Sequence, residues 1–217
     1  MVDPIRVQLE QGPSKVWACA LDWPGWSRSG RDRERALGSL AAAAPRYSPV
    51  ALAAGYPLPA DAAGALEVVA TVAGGGNSQW APSIVAAAER EPLDRAAAAR
   101  RAGLVAACWA ELDRIAGASP ATLRRGPRGG GRDRDDVVGH VHAAEAAYVR
   151  KLGLRLAEPA VSDSAAVASF RESVLAVLRQ PGAGTDLVEG GWPAAYGARR
   201  IAWHVLDHAW EIEDKAQ

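Results

Sequence analysis

Alternating apolar and polar residues open the chain. Residues 5–10, IRVQLE, alternate as a half-buried strand does, and a turn containing Gly and Pro separates them from the apolar run VWACAL at 16–21. These two segments predict a β-hairpin. Residues 31–44 are rich in helix formers and are followed by a proline, which predicts a helix, and residues 66–72, LEVVATV, predict a third strand. The pattern over residues 1–80 therefore predicts a small β-β-α-β unit.

The second half of the chain has a helical pattern instead. A glycine run at 74–76 and Pro82 interrupt regular structure between the halves. Apolar residues with helical spacing then predict four helices, at residues 93–115, 135–152, 165–179 and 198–215. An antiparallel four-helix bundle over residues 90–217 is the economical way to bury four such faces. The predicted fold class is thus α+β, a β-β-α-β unit followed by this bundle.

All four histidines lie on two of the predicted helices. His204 and His208 are spaced i, i+4 on the last helix, so they lie one above the other on one face. On the second helix, His140 belongs to a series of apolar residues with the same spacing. His142 lies about 200° around that helix from His140, at about 100° per residue. We therefore expect His140, His204 and His208 to face the bundle interior and His142 to face elsewhere.

Three inward imidazoles indicate a metal site. Imidazole is the commonest protein ligand for zinc and related metals, and three of them leave coordination positions for water and substrate. The alternative is three core histidines, each hydrogen-bonded to a neighbour, but an apolar bundle offers few such partners. The sequence thus predicts a divalent transition metal bound by His140, His204 and His208. Zinc is the first candidate and nickel the second, and iron and manganese stay open because three imidazoles suit several metals.

Several residues near the predicted site have more than one interpretation. Asp207 and Glu211 flank the histidine pair and are candidates to orient an imidazole or to form ion pairs. Glu145 is expected to be an external or interhelical partner and not a ligand. Trp192 and Tyr196, in the predicted loop that leads into the last helix, either line a pocket or pack at the helix entry.

One glycine-rich segment carries five arginines, at residues 123–134. It can grip a phosphate or carboxylate, or it can be a solvated linker. The linker is favoured because a glycine-rich segment must lose conformational entropy before it binds anything.

Two motifs resemble a known family. The segments DVVGHVHAAEAAY at 136–148 and AWHVLDHAWE at 202–211 resemble the two metal-binding helices of the DinB/YfiT-like superfamily, and the resemblance covers roughly residues 92–215. It implies a four-helix bundle in which the second helix supplies one metal ligand and the last helix an H-x3-H pair. Its members include thiol S-transferases and a mycothiol-dependent maleylpyruvate isomerase. The implied ligands are again His140, His204 and His208.

The N-terminal half is similar to the HicB-like module. The resemblance rests on two segments, VWACALDWPGWSRSG at 16–30, with a Pro-Gly after the second strand, and RERAL at 33–37. HicB antitoxins neutralise an RNase toxin, which is one implied role. The favoured alternative is a small unit that packs on the bundle, shields the metal site or forms a homodimer.

Composition narrows the class of partner. The 25 basic and 25 acidic residues cancel, which argues against nucleic acid as a partner. No apolar run reaches the roughly 20 residues needed to span a bilayer, and the opening MVDPIRVQLE lacks the layout of a signal peptide, so a cytoplasmic protein without a membrane is expected. Cys19 and Cys108 lie in apolar stretches and are expected to be reduced. Abundant alanine indicates a GC-rich, actinobacterial source.

Three hypotheses for function follow. The leading one is a metal-dependent transferase that uses a low-molecular-weight thiol such as mycothiol and acts on a small-molecule substrate, without a protein nucleophile. The second is a metal-dependent hydrolase or isomerase in a small-molecule pathway. The third is a non-catalytic binding or stress-response protein. A closed metal site would favour the third, and an open one beside a cleft would favour an enzyme.

Overall fold

A four-stranded sheet and six α-helices form the described part of the chain. The computed structural model describes residues 3–126 and 130–216, so part of the arginine-rich segment predicted at 123–134 lies outside the described residues. The strands are β1 (Ile5–Gln11), β2 (Val16–Ala20), β3 (Ser27–Gly30) and β4 (Leu66–Ala73). The helices are α1 (Arg33–Ala42), α2 (Ala44–Ala53), α3 (Arg95–Ala118), α4 (Arg134–Tyr148), α5 (Ser164–Leu178) and α6 (Ala194–Lys215). The α+β class is confirmed.

The sheet has the strand order β3-β2-β1-β4. β1 and β2 form the predicted hairpin, and β4 pairs with β1 in parallel. Strand β3 is not predicted by the sequence pattern, because its residues, SRSG, contain no apolar alternation. Strand β3 is instead defined by its antiparallel pairing with β2. The N-terminal unit therefore has one strand more than the predicted β-β-α-β unit.

The predicted helix at 31–44 is two helices in the structure. α1 begins after Asp32, whose side chain accepts a hydrogen bond from the backbone N–H of Arg35 at 2.8 Å. Pro45 is expected to end the predicted helix, but it lies in the first turn of α2. A proline suits that position because the first helical N–H groups have no partner within the helix.

The four predicted helices of the second half are present as α3, α4, α5 and α6. The second continues from α4 into a short 3-10 helix, Val149–Leu152. α6 is buried along most of its length because α3, α4 and α5 all pack against it. The antiparallel, DinB-like arrangement of this bundle stays a prediction.

The sheet and the helices share a hydrophobic core. One cluster of buried residues includes Leu9 of β1 and Val205 of α6, so the predicted units 1–80 and 90–217 pack against each other. Gly25, with φ of 98°, lies at a turn where the N-terminal unit packs against α3 and α6. A Cβ at this position would lie 2.8 Å from the Leu206 side chain and 3.0 Å from Sγ of Cys108, so only glycine fits this turn against α3 and α6.

The segment between the two halves fixes α6 over the sheet. Glu10, buried on β1, accepts hydrogen bonds from the backbone N–H groups of Ser83 and Ile84, both at 2.9 Å. Arg199 of α6 and Glu89 form a buried ion pair with Nε to Oε1 at 2.5 Å. These contacts set the position of the part of α6 that carries the histidines.

No helix among the described residues combines the length and the apolar character that a bilayer span requires.

Candidate metal centre

Three histidines from α4 and α6 converge at one place. The ring centroids of His140 and His208 are 4.8 Å apart, those of His204 and His208 are 4.5 Å apart, and those of His140 and His204 are 5.2 Å apart. One nitrogen of each ring lies within 4.8 Å of a nitrogen of the other two. The structure thus brings together the three residues that the sequence predicted as ligands.

The three rings differ in their exposure to solvent. His204 is buried, with 5% of its surface exposed, and His208 is partly buried. His140 is exposed, so the expectation that it faces the bundle interior is wrong. Helical spacing defines the side of a helix but not how far a neighbouring helix covers that side. The histidine group is consequently open to solvent on the α4 side.

His208 has a partner that orients its ring. Its Nδ1 atom lies 2.7 Å from Oε2 of Glu211, one turn further along α6. Glu211 also accepts hydrogen bonds from Lys215 and Arg132, at 2.6 and 3.0 Å. The contact with His208, together with Lys215 and Arg132, holds the pKa of Glu211 well below its usual range. The Glu211 side chain is therefore an ionised carboxylate. A carboxylate that accepts the Nδ1–H of an imidazole leaves Nε2 as the metal-binding atom.

Asp207 has a different partner. Its Oδ1 atom lies 3.5 Å from the Arg28 guanidinium, which joins α6 to β3. Of the two acidic residues proposed to orient an imidazole, the structure therefore places Glu211 on a histidine and Asp207 on an arginine.

The histidines are suited to bind a metal as neutral imidazoles. Burial, together with the neighbouring His208 and His140, lowers the pKa of His204 to about 2. Burial also lowers the pKa of His140. His204 Nδ1 is buried and has no hydrogen-bond partner among the described residues. A buried polar atom without a partner is costly, and a metal ion bound by this group would relieve part of that cost.

The spread of the nitrogens is compatible with one ion. Two zinc–nitrogen bonds that meet at a tetrahedral angle place their nitrogens about 3.4 Å apart. The nitrogens of the three rings lie within 4.8 Å of one another, so side-chain rotations must bring them closer before all three reach one metal. The donor set of three imidazoles suits zinc and nickel.

Aromatic side chains surround His204, and one cation lies among them. The Tyr148 ring is 5.6 Å and the Trp203 ring 5.9 Å from the His204 ring. The Arg200 guanidinium lies 5.0 Å from the Tyr148 ring and 5.1 Å from the Trp203 ring. Arg200 is a residue near the site that is absent from the candidates predicted above. Its position four residues before His204 is the available signal, because that spacing places both on one face of a helix.

Trp192 and Tyr196 extend this aromatic group away from His204. Trp192 packs against Tyr148 at 5.5 Å and against Tyr196 at 4.9 Å. Tyr196 is buried, and its hydroxyl donates to the Ser83 carbonyl at 3.1 Å. Tyr196 thus packs at the helix entry, while Trp192 supports the Tyr148 side of the site.

Two further residues of α4 have structural partners. The His142 ring is buried, and its Nδ1 atom lies 3.1 Å from the Pro159 carbonyl oxygen, so it faces away from the histidine group as predicted. Glu145 is also buried and accepts a hydrogen bond from Nε1 of Trp109 on α3. Burial raises the pKa of Glu145 to about 7. Glu145 is therefore an interhelical partner and does not belong to the metal-binding group.

Neither cysteine lies in the histidine group. Cys19 and Cys108 are buried and unpaired with each other. Burial raises the pKa of both thiols, so both are neutral at physiological pH.

The histidine group is separate from a large surface cavity. This cavity, of about 870 Å³, lies beyond the end of α4 and is lined by residues such as Arg150, Arg155 and Val188. None of the three histidines lines it. The open side at His140 is thus the direct route to the site.

Comparison with protein-family models, with curated proteins and with solved structures gives no match to this chain. Membership of the DinB/YfiT-like superfamily and of the HicB-like group stays a prediction based on the motifs.

Proposed function

We propose that the protein is a metal-dependent transferase that joins a low-molecular-weight thiol of the mycothiol type to a small electrophilic substrate. The observation that supports this proposal most is the convergence of His140, His204 and His208 at a site open to solvent. The motif resemblance to the DinB/YfiT-like superfamily supplies the thiol as cosubstrate. In this proposal residues 90–217 form the metal-binding bundle.

The chemistry depends on a neutral ligand set. A divalent transition metal bound by three neutral imidazoles keeps its positive charge, which lowers the pKa of a bound thiol or water. Zinc is the first candidate and nickel the second. Glu211 fixes the ring of His208 through Nδ1. Tyr148 and Trp203 cover His204 and keep water from that side of the site.

In the proposed reaction a sulfur–carbon bond forms and the leaving group departs from the electrophilic carbon. The proton of the thiol passes to solvent on the exposed side of the site. Glu145 is hydrogen-bonded to Trp109 and both cysteines are buried, so the proposal gives them no part in this step.

The open site favours an enzyme over a purely structural metal. A structural zinc site is closed by four protein ligands, whereas a catalytic site keeps a position for substrate. Three histidines with one exposed ring correspond to the second kind. A metal-dependent hydrolase or isomerase is the alternative with the same ligands, and it differs from the transferase in whether turnover requires added thiol.

The proposed role of residues 1–80 is to support the bundle. Trp17 of β2 packs edge-on against Trp203 of α6 at 5.3 Å, next to His204. Leu9 and Val205 belong to one hydrophobic cluster. A unit whose face is covered by α6 has less surface for a toxin partner, which favours packing over toxin neutralisation.

The test is thiol-dependent turnover. Zinc-loaded and nickel-loaded protein is mixed with mycothiol and the electrophile monochlorobimane, and bimane fluorescence is followed with and without the thiol. We expect turnover that requires both metal and thiol and that falls to background in His208→Ala. The Glu213→Ala variant, changed on the same helix outside the histidine group, is the control that should keep it. Turnover without thiol, or equal turnover in His208→Ala, would overturn the proposal.

A further inference from the structure

Arg200 is a cation beside the histidine group with no carboxylate partner among the described residues. Its neighbour Arg199 forms a buried pair with Glu89. Arg132, the other arginine near the site, pairs with Glu211. The contacts of the Arg200 guanidinium are instead neutral: Nη1 donates to the Pro82 carbonyl and Nη2 to the Tyr148 hydroxyl, both at 3.2 Å.

These contacts fix Arg200 close to the reactive site. Its guanidinium lies against the rings of Tyr148 and Trp203, and both rings adjoin His204. The Nε atom is buried and has no hydrogen-bond partner among the described residues. The side chain as a whole is only partly buried, so a ligand can reach it.

A partly desolvated guanidinium without a carboxylate is costly unless an anion binds to it. Guanidinium groups bind carboxylates through two parallel hydrogen bonds, which gives direction as well as attraction. Placed one helical turn before His204, such a contact would hold one end of a small molecule while its other end reaches the metal-binding histidines.

We infer that Arg200 binds a carboxylate of the small molecule that reacts at the histidine site. This inference rests on the proposed function and narrows its substrates to molecules that carry a carboxylate a few bonds from the reacting atom. The carboxylate belongs either to the thiol or to its acceptor, and the chemistry at Arg200 is the same for both.

Two thiols that share two methylene groups, one ending in a carboxylate and the other in a hydroxyl, test the inference. Cobalt-loaded protein is titrated with 3-mercaptopropionate and with 2-mercaptoethanol, and the visible cobalt absorbance reports binding at the metal. We expect the carboxylate-bearing thiol to bind about tenfold more tightly, the effect of one hydrogen-bonded charge pair. In Arg200→Gln the affinities for the two thiols should agree within about threefold. The preference of Arg200→Lys for the carboxylate-bearing thiol should lie between those of the wild type and Arg200→Gln. The control variant Arg179→Gln, at an exposed residue just after α5, should keep the full preference.

The outcomes separate this inference from the proposed function. If both thiols bind and Arg200→Gln keeps the wild-type preference, the role of Arg200 is overturned while thiol binding stands. If neither thiol binds, thiol transfer is overturned, and succinate is compared with butyrate on the same proteins. Tighter binding of succinate than of butyrate that is lost in Arg200→Gln would support the carboxylate site. Equal binding of succinate and butyrate by the wild-type protein would overturn it.

The same probes identify the molecule that carries the carboxylate. If Arg200→Gln weakens the binding of succinate but not of 3-mercaptopropionate, the carboxylate belongs to the acceptor. If the variant weakens the binding of both probes, the carboxylate can belong to the thiol. Circular dichroism and urea denaturation of Arg200→Gln check that its fold is retained.

Discussion

The Nδ1 atom of His208 lies 2.7 Å from Oε2 of Glu211, one turn further along α6. A carboxylate in this position fixes the ring orientation of an imidazole and makes its other nitrogen a better ligand. Because the ion pair with Arg132 and the contact with Lys215 hold Glu211 in place, the orientation of His208 is largely set before any metal binds.

Removing this carboxylate should weaken metal binding. In Glu211→Ala we expect zinc affinity to fall by about 10–100-fold, the usual effect of losing a partner that orients a metal ligand. Competition with a chromophoric chelator measures this change. Glu213→Ala, whose side chain pairs with Arg46 and not with a histidine, is the matched control. Equal affinities in the two variants would show that Glu211 does not orient the ligand.

The Glu145 carboxyl should make stability depend on pH. Its pKa is about 7 in the folded protein and lies near 4.5 when unfolded, so the folded state binds more protons between these values. The free energy of unfolding therefore falls as pH rises from about 5 to 8. The Glu145→Gln variant lacks this pH dependence. From pH 5 to pH 8, we expect its free energy of unfolding to rise by on the order of 3 kcal/mol relative to that of the wild type.

Urea denaturation of the metal-free proteins at both pH values measures this difference. Glu172→Gln on the exposed face of α5 is the control and should follow the wild type. A constant difference between Glu145→Gln and wild type at the two pH values would contradict an elevated pKa.

His142 should affect stability and not metal binding. The ring is buried and bonded to the Pro159 carbonyl, so His142→Ala removes a hydrogen bond and leaves a small cavity. We expect the free energy of unfolding to fall by about 1–3 kcal/mol while zinc still binds once per chain. Loss of zinc from a folded His142→Ala protein would show that the wrong histidine of α4 has been placed at the metal.

The buried Glu89 and Arg199 pair should stabilise the attachment of α6 to the connecting segment. Either Glu89→Leu or Arg199→Met alone leaves one buried partner unmatched, and we expect a loss of about 3–5 kcal/mol in the free energy of unfolding. The double variant should lose less than either single variant, because no buried charge then remains unpaired. Additive losses in a double-mutant cycle would contradict direct coupling of the two side chains.

Local patterns were sufficient to predict much of this fold. The α+β class, the β1–β2 hairpin and the helices α3 to α6 follow from alternation, helical spacing and turn residues. Strand β3 and helix α2 were missed for two different reasons. The SRSG sequence of β3 has no pattern of its own, and Pro45 was interpreted as a stop signal although proline also fits the first turn of a helix.

The candidate site was predictable in its residues but not in its surroundings. Helical spacing placed His204 and His208 on one face, and the structure places His140 beside them. Spacing does not show how far other helices cover a face, so the exposure of His140 was not predicted. Arg200 and Trp203 lie close to His204 in the sequence, but their packing against Tyr148 and Trp17 joins segments distant in the sequence and was not predictable.

The most direct test of the metal-binding claim is the metal content of the protein purified without an affinity tag, before and after zinc titration, beside His140→Ala. His140 is exposed, so this variant removes a ligand with little effect on the core. We predict about one zinc per wild-type chain and binding weakened by about 100-fold or more in His140→Ala. Wild-type protein that takes up neither zinc nor nickel, or a His140→Ala variant that binds zinc as tightly as the wild type, would contradict a metal centre formed by these three histidines.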